Sequence, residues 1–278
     1  MAAETPVYGT YSQSELNRQY DAAGTVPSVD PYFERFATES VRERAKLERE
    51  LDIAYGRGER ERLDLFPAPD SGAPLFIFIH GGYWRRLDKS FFSFVAGPIA
   101  RAGGATAVIN YPLAPDATLD EIVRSTRSAL AWLVKNAHRA NADPKRFFAG
   151  GHSAGGQLAG MLATDERIRG IFPISGLFDL EPVRLSHANE WLNLDDESAQ
   201  RNSPMLHLPA HKPRLVASAG GAETDEFHRQ SRSYVDAWSK LGGPATYLEP
   251  AGHNHFSIVL EFSDEESDLT QALLGMLF

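Results

Sequence analysis

The pentapeptide Gly151-His152-Ser153-Ala154-Gly155 has the G-x-S-x-G spacing that lifts a serine hydroxyl clear of a sheet on a sharp turn. A serine attacks a carbonyl only when a neighbouring base takes its proton, and imidazole titrates near neutral pH. The segment Gly252-His253-Asn254-His255-Phe256 offers two such bases. His255 is favoured over His253, because Phe256 to Leu260 reads as the start of a packed helix that would fix its backbone. A carboxylate must then orient the imidazole and stabilise it when charged. Glu223, Asp225 and Glu226 follow the run Leu215 to Gly221. Acids crowd helix starts because the dipole there is positive, so spacing alone leaves the acid open. Glu223 is nearest the strand end and is the first choice, with Asp225 the alternative. Asp179 reads as a structural residue bonded to backbone.

Acyl transfer also needs N–H donors aimed at the developing oxyanion. Ala154 N–H, next to the serine, is one. Gly82 or Tyr83 of His80-Gly81-Gly82-Tyr83-Trp84 supplies the other, since glycine lets backbone approach a ligand closely. Five aromatic residues, Tyr83, Trp84, Phe91, Phe92 and Trp191, are candidates for an aromatic-binding pocket.

The elements that must position these groups are legible as alternating strands and helices. Leu51–Tyr55 and Arg62–Phe66 flank Gly56-Arg57-Gly58 and predict a hairpin. Leu75–Ile79 and Ala105–Ile109 are continuous apolar runs, as in strands buried on both faces. Further strands are expected just before Ser153, at Ile168–Ile174, at Arg214–Ser218 and at Ala245–Leu248. Helices are expected at Phe33–Glu50, Phe91–Ala102, Leu119–Arg139, Glu226–Leu241 and Leu269–Phe278, with a short one opened by a capping box at Ser12–Glu15. Residues 177–212 read as short helices in a long connection, forming a lid or pocket wall. The pattern predicts a mostly parallel sheet with helices on both faces. Each reactive group then falls at a strand's carboxyl end, in the order serine, acid, histidine, as in α/β-hydrolases. Residues 1–50 are expected to form an N-terminal arm packed on the 51–278 catalytic domain. In a second reading the arm caps the site with Tyr20, Tyr32 or Phe33.

At these residues the sequence resembles the eukaryotic-type kynurenine formamidases (arylformamidases), an α/β-hydrolase family close to the hormone-sensitive-lipase-like esterases. His80-Gly81-Gly82-Tyr83-Trp84 matches the H-G-G-x-W signature, and Gly151 to Gly156 matches the nucleophile elbow. Glu226-Phe227-His228-Arg229-Gln230-Ser231 resembles the E-F-x-R-Q-S run, and His255-Phe256 the H-F pair. The resemblance covers roughly residues 50–278. It implies Ser153 as nucleophile, His255 as base, and Glu223 as the acid three residues before the run, where the family usually has Asp. It implies hydrolysis of N-formyl-L-kynurenine to kynurenine and formate. Homologues with this signature also cleave aryl esters, so a broad-range carboxylesterase is the alternative. A non-catalytic binding protein of this fold would be expected to lack a triad member, and none is missing.

Composition bounds the remaining classes. A net charge of −9 over 278 residues disfavours nucleic acid, which wants a basic stripe. The chain has no cysteine, hence no disulfide, thiolate nucleophile or Cys-based metal site. No metal-ligand cluster is legible and no cofactor is expected. No membrane-length apolar run and no signal-peptide pattern is visible, so a cytoplasmic protein is expected. Its expected partner is a small-molecule substrate, with no nucleic acid and no membrane, and a homodimer is left open.

Overall fold

Eight strands form one sheet in the order β1-β2-β4-β3-β5-β6-β7-β8. They are β1 (Glu50–Ala54), β2 (Arg62–Phe66), β3 (Ala73–Ile79), β4 (Ala105–Ile109), β5 (Ala142–His152), β6 (Ile168–Ile174), β7 (Arg214–Ser218) and β8 (Ala245–Leu248). This computed structural model describes residues 5–278. β1 and β2 pair as the expected antiparallel hairpin, and β2 runs antiparallel to β4. From β4 through β8 every pairing is parallel. The protein has the α/β-hydrolase fold.

The apolar runs explain the middle of the sheet. All seven residues of β3 and all five of β4 are buried, because helices cover both faces. The helices are α1 (Gln13–Gln19), α2 (Asp30–Lys46), α3 (Ala96–Arg101), α4 (Leu119–Lys135), α5 (Ala154–Leu162), α6 (Glu181–Arg184), α7 (Asn189–Leu192), α8 (Asp196–Arg201), α9 (Asp225–Lys240) and α10 (Asp268–Leu277). α4 opens with a capping box between Thr118 and Glu121 and buries Ile122, Thr126, Ala129, Leu130 and Leu133, the stripe expected from its spacing. It stops at Lys135, and a 3₁₀ turn at Ala137–Ala140 takes up the rest of the expected helix.

Two expected helices are revised. Over 91–102 the chain makes 3₁₀ turns at Lys89–Phe91 and Ser93–Val95 before the six-residue α3. Pro98 disfavours helical backbone just before it and has no N–H to donate, so it is tolerated only in a first turn. α2 starts earlier than expected, with Pro31 in its first turn, and ends at Lys46, freeing Glu50 for β1.

The N-terminal arm packs on the sheet's carboxyl side. In α1, Ser12 and Glu15 form the expected capping box. Phe36 of α2 meets Phe92 and Phe94 at 5.3 and 6.0 Å between ring centres. The Tyr20 hydroxyl donates to buried Glu226 at 2.6 Å, and Thr224 Oγ1 donates to Gln19 O at 2.6 Å. Among the described residues no helix is long and apolar enough to cross a membrane.

Candidate active site

Register brings the strand ends together. Ile79 of β3 faces Gly151 of β5, His152 faces Ile174 of β6, and Ile174 faces Ser218 of β7. The loops leaving these strands therefore open on one patch. Ser153 sits at the β5–α5 junction with φ 58° and ψ −119°, a left-handed conformation that costs a non-glycine residue about 1–3 kcal/mol. Its N–H donates to Ile174 O at 2.8 Å, which pins the turn. The elbow glycines are steric necessities: a Cβ at Gly155 would lie 2.0 Å from Ile79 O, and one at Gly151 would lie 2.4 Å from Gly155 O.

Glu223 lies in the loop between β7 and α9. Its side chain is wholly excluded from solvent. Oε1 accepts from Ser175 Oγ at 2.6 Å and from Gly220 N–H at 2.7 Å. Oε2 stands 2.6 Å from His255 Nδ1. Burying a carboxyl group without such hydrogen-bond partners is costly. The longer Glu side chain thus reaches the imidazole where the resembling family usually has Asp. Asp225 is exposed at the first position of α9. Glu226 turns inward instead and takes a two-pronged bond from Arg229 at 2.8 and 2.9 Å. Asp179 accepts from Tyr8 and from the Glu181 backbone N–H, away from the imidazole. His253 pairs with Glu261 at 2.9 Å, and of the two histidines only His255 lines a cavity with Ser153.

His152 adds a brace that the sequence did not suggest. Its Nε2 meets His255 O at 2.7 Å, so the ring holds the histidine loop from below. Burial, with the His255 ring as a second cause, pushes the His152 pKa well down. The ring is therefore neutral and donates Nε2–H to that carbonyl.

The turn after β3 is strained and tied on three sides. Gly82, Tyr83 and Trp84 have φ of 110°, 52° and 57°. Trp84 O accepts from Ala114 N–H at 2.8 Å, and Tyr83 O accepts from Trp191 Nε1 at 3.0 Å. The Tyr83 hydroxyl donates to Tyr20 O of the arm. Ala154 N–H belongs to the first turn of α5, where backbone donors have no partner inside the helix.

A cavity of about 170 Å³ joins these pieces. Ser153, His152, His255 and Gly82 line it on the sheet side. The arm contributes Tyr20, Asp21, Phe33 and Phe36, and the long connection contributes His187 and Trp191. The arm thus packs on the sheet and also walls the cavity. Tyr32 stands behind the wall, stacked on Phe256 at 5.7 Å.

Of the five aromatic candidates, Tyr83 and Trp191 face the cavity, and Trp84, Phe91 and Phe92 do not. Trp84 is fully buried, its Nε1 donating to Gln157 at 3.0 Å. Phe92 is core, packed between Phe36 and Phe78. Phe91 is half-buried against that core, on the 3₁₀ turn that replaced the expected helix. Cavity residues that went unnoticed include Arg85, Arg86, His187 and Phe256. Arg85-Arg86 directly follows the oxyanion turn, which was the available signal.

A family model described as BD-FAE matches residues 63–182. A kynurenine formamidase of Danio rerio is 31% identical over 96% of this chain and 97% of its own. The chain belongs to the kynurenine formamidase family. A second kynurenine formamidase, from Salmo salar, is 33% identical over 82% of this chain and 81% of its own. A crystal structure from Silicibacter, described as a candidate thioesterase, superposes with a TM-score of 0.83 at 30% identity, covering 95% of this chain and 98% of that one. Like its relatives in the kynurenine formamidase family, the protein is a serine hydrolase of amide or ester bonds.

Proposed function

We propose that the protein hydrolyses an aryl formamide, N-formylkynurenine foremost, through a formyl-enzyme on Ser153. The observation that carries this reading is the aromatic-walled cavity that Ser153 and the Glu223-bound His255 both line. Ser153 Oγ attacks the formyl carbon while His255 takes its proton, and Glu223 holds the resulting imidazolium. The carbonyl oxygen becomes an oxyanion beside the N–H groups of Ala154 and of Gly82 or Tyr83. The C–N bond breaks as His255 returns the proton to the arylamine nitrogen. Water then attacks the formyl ester with His255 again as base, and formate leaves. The relatives named kynurenine formamidase support the substrate, and the one from Danio rerio aligns along 96% of the chain.

Steady-state rates on N-formylkynurenine and on short p-nitrophenyl esters test the reading. A kcat/KM for the formamide orders of magnitude above that of a generic esterase is expected. Formamide turnover no better than a generic esterase's, with fast ester cleavage, would establish the second reading, a broad-range carboxylesterase. That reading is favoured by a relative of Mycobacterium tuberculosis named a carboxylic ester hydrolase, 25% identical over 71% of this chain.

A further inference from the structure

Arg85 and Arg86 leave the oxyanion turn side by side. Both of their backbone N–H groups donate to Gly82 O at 3.1 Å, so one turn fixes the roots of both side chains. Both side chains line the cavity that holds Ser153. The Arg85 guanidinium carbon lies 3.8 Å over the centre of the Trp191 ring. Trp191 is itself held by its bond to Tyr83 O. A guanidinium stacked in this way keeps its N–H edge for a planar acceptor.

The protein carries a net charge of −9, yet this wall is cationic. Ten other arginines, from Arg42 to Arg232, pair with carboxylates. Among the described residues neither Arg85 nor Arg86 makes an ion pair. Asp21, across the cavity on the arm, is the acid that faces them, and its Oδ1 already accepts Gly24 N–H at 3.0 Å. Burial, and then the charge of Arg85, lower the Arg86 pKa. Two neighbouring guanidinium groups, both partly exposed on the wall of one cavity, lack the carboxylate partner that those ten arginines have. A substrate carboxylate would supply it, in the two-pronged geometry that guanidinium favours.

We propose that Arg85 and Arg86 form an anion clamp that selects aryl amide or ester substrates carrying one carboxylate. The proposal rests on the function proposed above and names the substrate class of that same site. The reacting carbonyl sits at Ser153 and the carboxylate at the arginine pair, with the ring between the aromatic walls. Asp21 on the facing wall disfavours a second carboxylate.

The test compares 3-(2-formamidophenyl)propanoate with its neutral primary amide, following release of the arylamine. For the wild type, kcat/KM is expected to favour the anion by about tenfold or more, a margin that shrinks as salt rises from about 50 to about 500 mM. In the Arg85→Gln, Arg86→Gln double variant the ratio should collapse towards one, and Arg86→Lys should keep part of it. A wild-type ratio near one, or a preference that survives in the double variant, would overturn the clamp. If neither formamide is cleaved, the function proposed above fails, and the clamp is decided by protection of Ser153 from a fluorophosphonate probe. Protection by 3-(2-aminophenyl)propanoate at about tenfold lower concentration than by its amide, lost in the double variant, supports it. Equal protection by both overturns it.

Discussion

His255 Nδ1 lies 2.6 Å from Glu223 Oε2, and the Glu223 side chain is closed off from solvent. Asp225, two residues on, is exposed at the start of α9. Glu223→Gln should therefore lower kcat by about 10³–10⁴-fold, because an amide no longer stabilises imidazolium. Asp225→Asn should change it by no more than about twofold, as an exposed helix-start substitution. Steady-state kinetics on both variants checks the assignment, and the reverse ranking would refute it.

Ser175 contributes one of the two hydrogen bonds that clamp Glu223 Oε1. Ser175→Ala leaves that oxygen with Gly220 alone, and losing a bond to a buried charged group costs about 1.5–3 kcal/mol. We expect kcat to fall about tenfold and KM to stay nearly constant, since the serine touches the acid and not the cavity. A raised KM with unchanged kcat would place Ser175 against the substrate instead.

The Tyr83 hydroxyl ties the oxyanion turn to Tyr20 O of the arm. Tyr83→Phe removes that tie at a net cost of about 1 kcal/mol. KM should rise several-fold, and limited proteolysis should cut the arm faster. Unchanged KM and unchanged cleavage would show that the arm is held by its other contacts, among them those to Glu226, Thr224 and Phe92.

Acid should weaken the fold through His80. Burial pushes its pKa from 6.5 down to about 4. Below pH 6.5 the unfolded chain takes up a proton that the folded chain refuses until about pH 4. The stability is thus fully present above 6.5 and is lost as pH falls towards 4, by about 3 kcal/mol for this group. Its buried Nε2 has no partner, which fits a neutral ring. Urea unfolding at neutral pH and near pH 4.5 should show a smaller acid loss in His80→Gln than in the wild type. Equal losses would remove His80 as a cause.

The central strands were legible because they are continuous apolar runs, as at Leu75–Ile79 and Ala105–Ile109. The candidate reacting groups were legible because strand ends collect them, and the structure sets Glu223 Oε2 against His255 Nδ1. The direction of aromatic side chains was not legible. Trp84 and Tyr83 are neighbours in sequence, and their consecutive left-handed backbone sends one into the core and the other to the cavity. Local spacing holds no record of such a choice. The cavity wall supplied by Phe36 and Tyr20 depends on how the arm folds back over the sheet, a contact between stretches far apart in the chain.

Tyr20, Asp21, Phe33 and Phe36 bound the cavity from a stretch that carries none of the reacting groups. Substitutions there can redraw what the enzyme admits while its bond-breaking apparatus stays intact. Substrate range and turnover are in this sense separately heritable. Part of what the cavity admits can therefore change within the arm while the strand ends that hold the candidate reacting groups stay as they are.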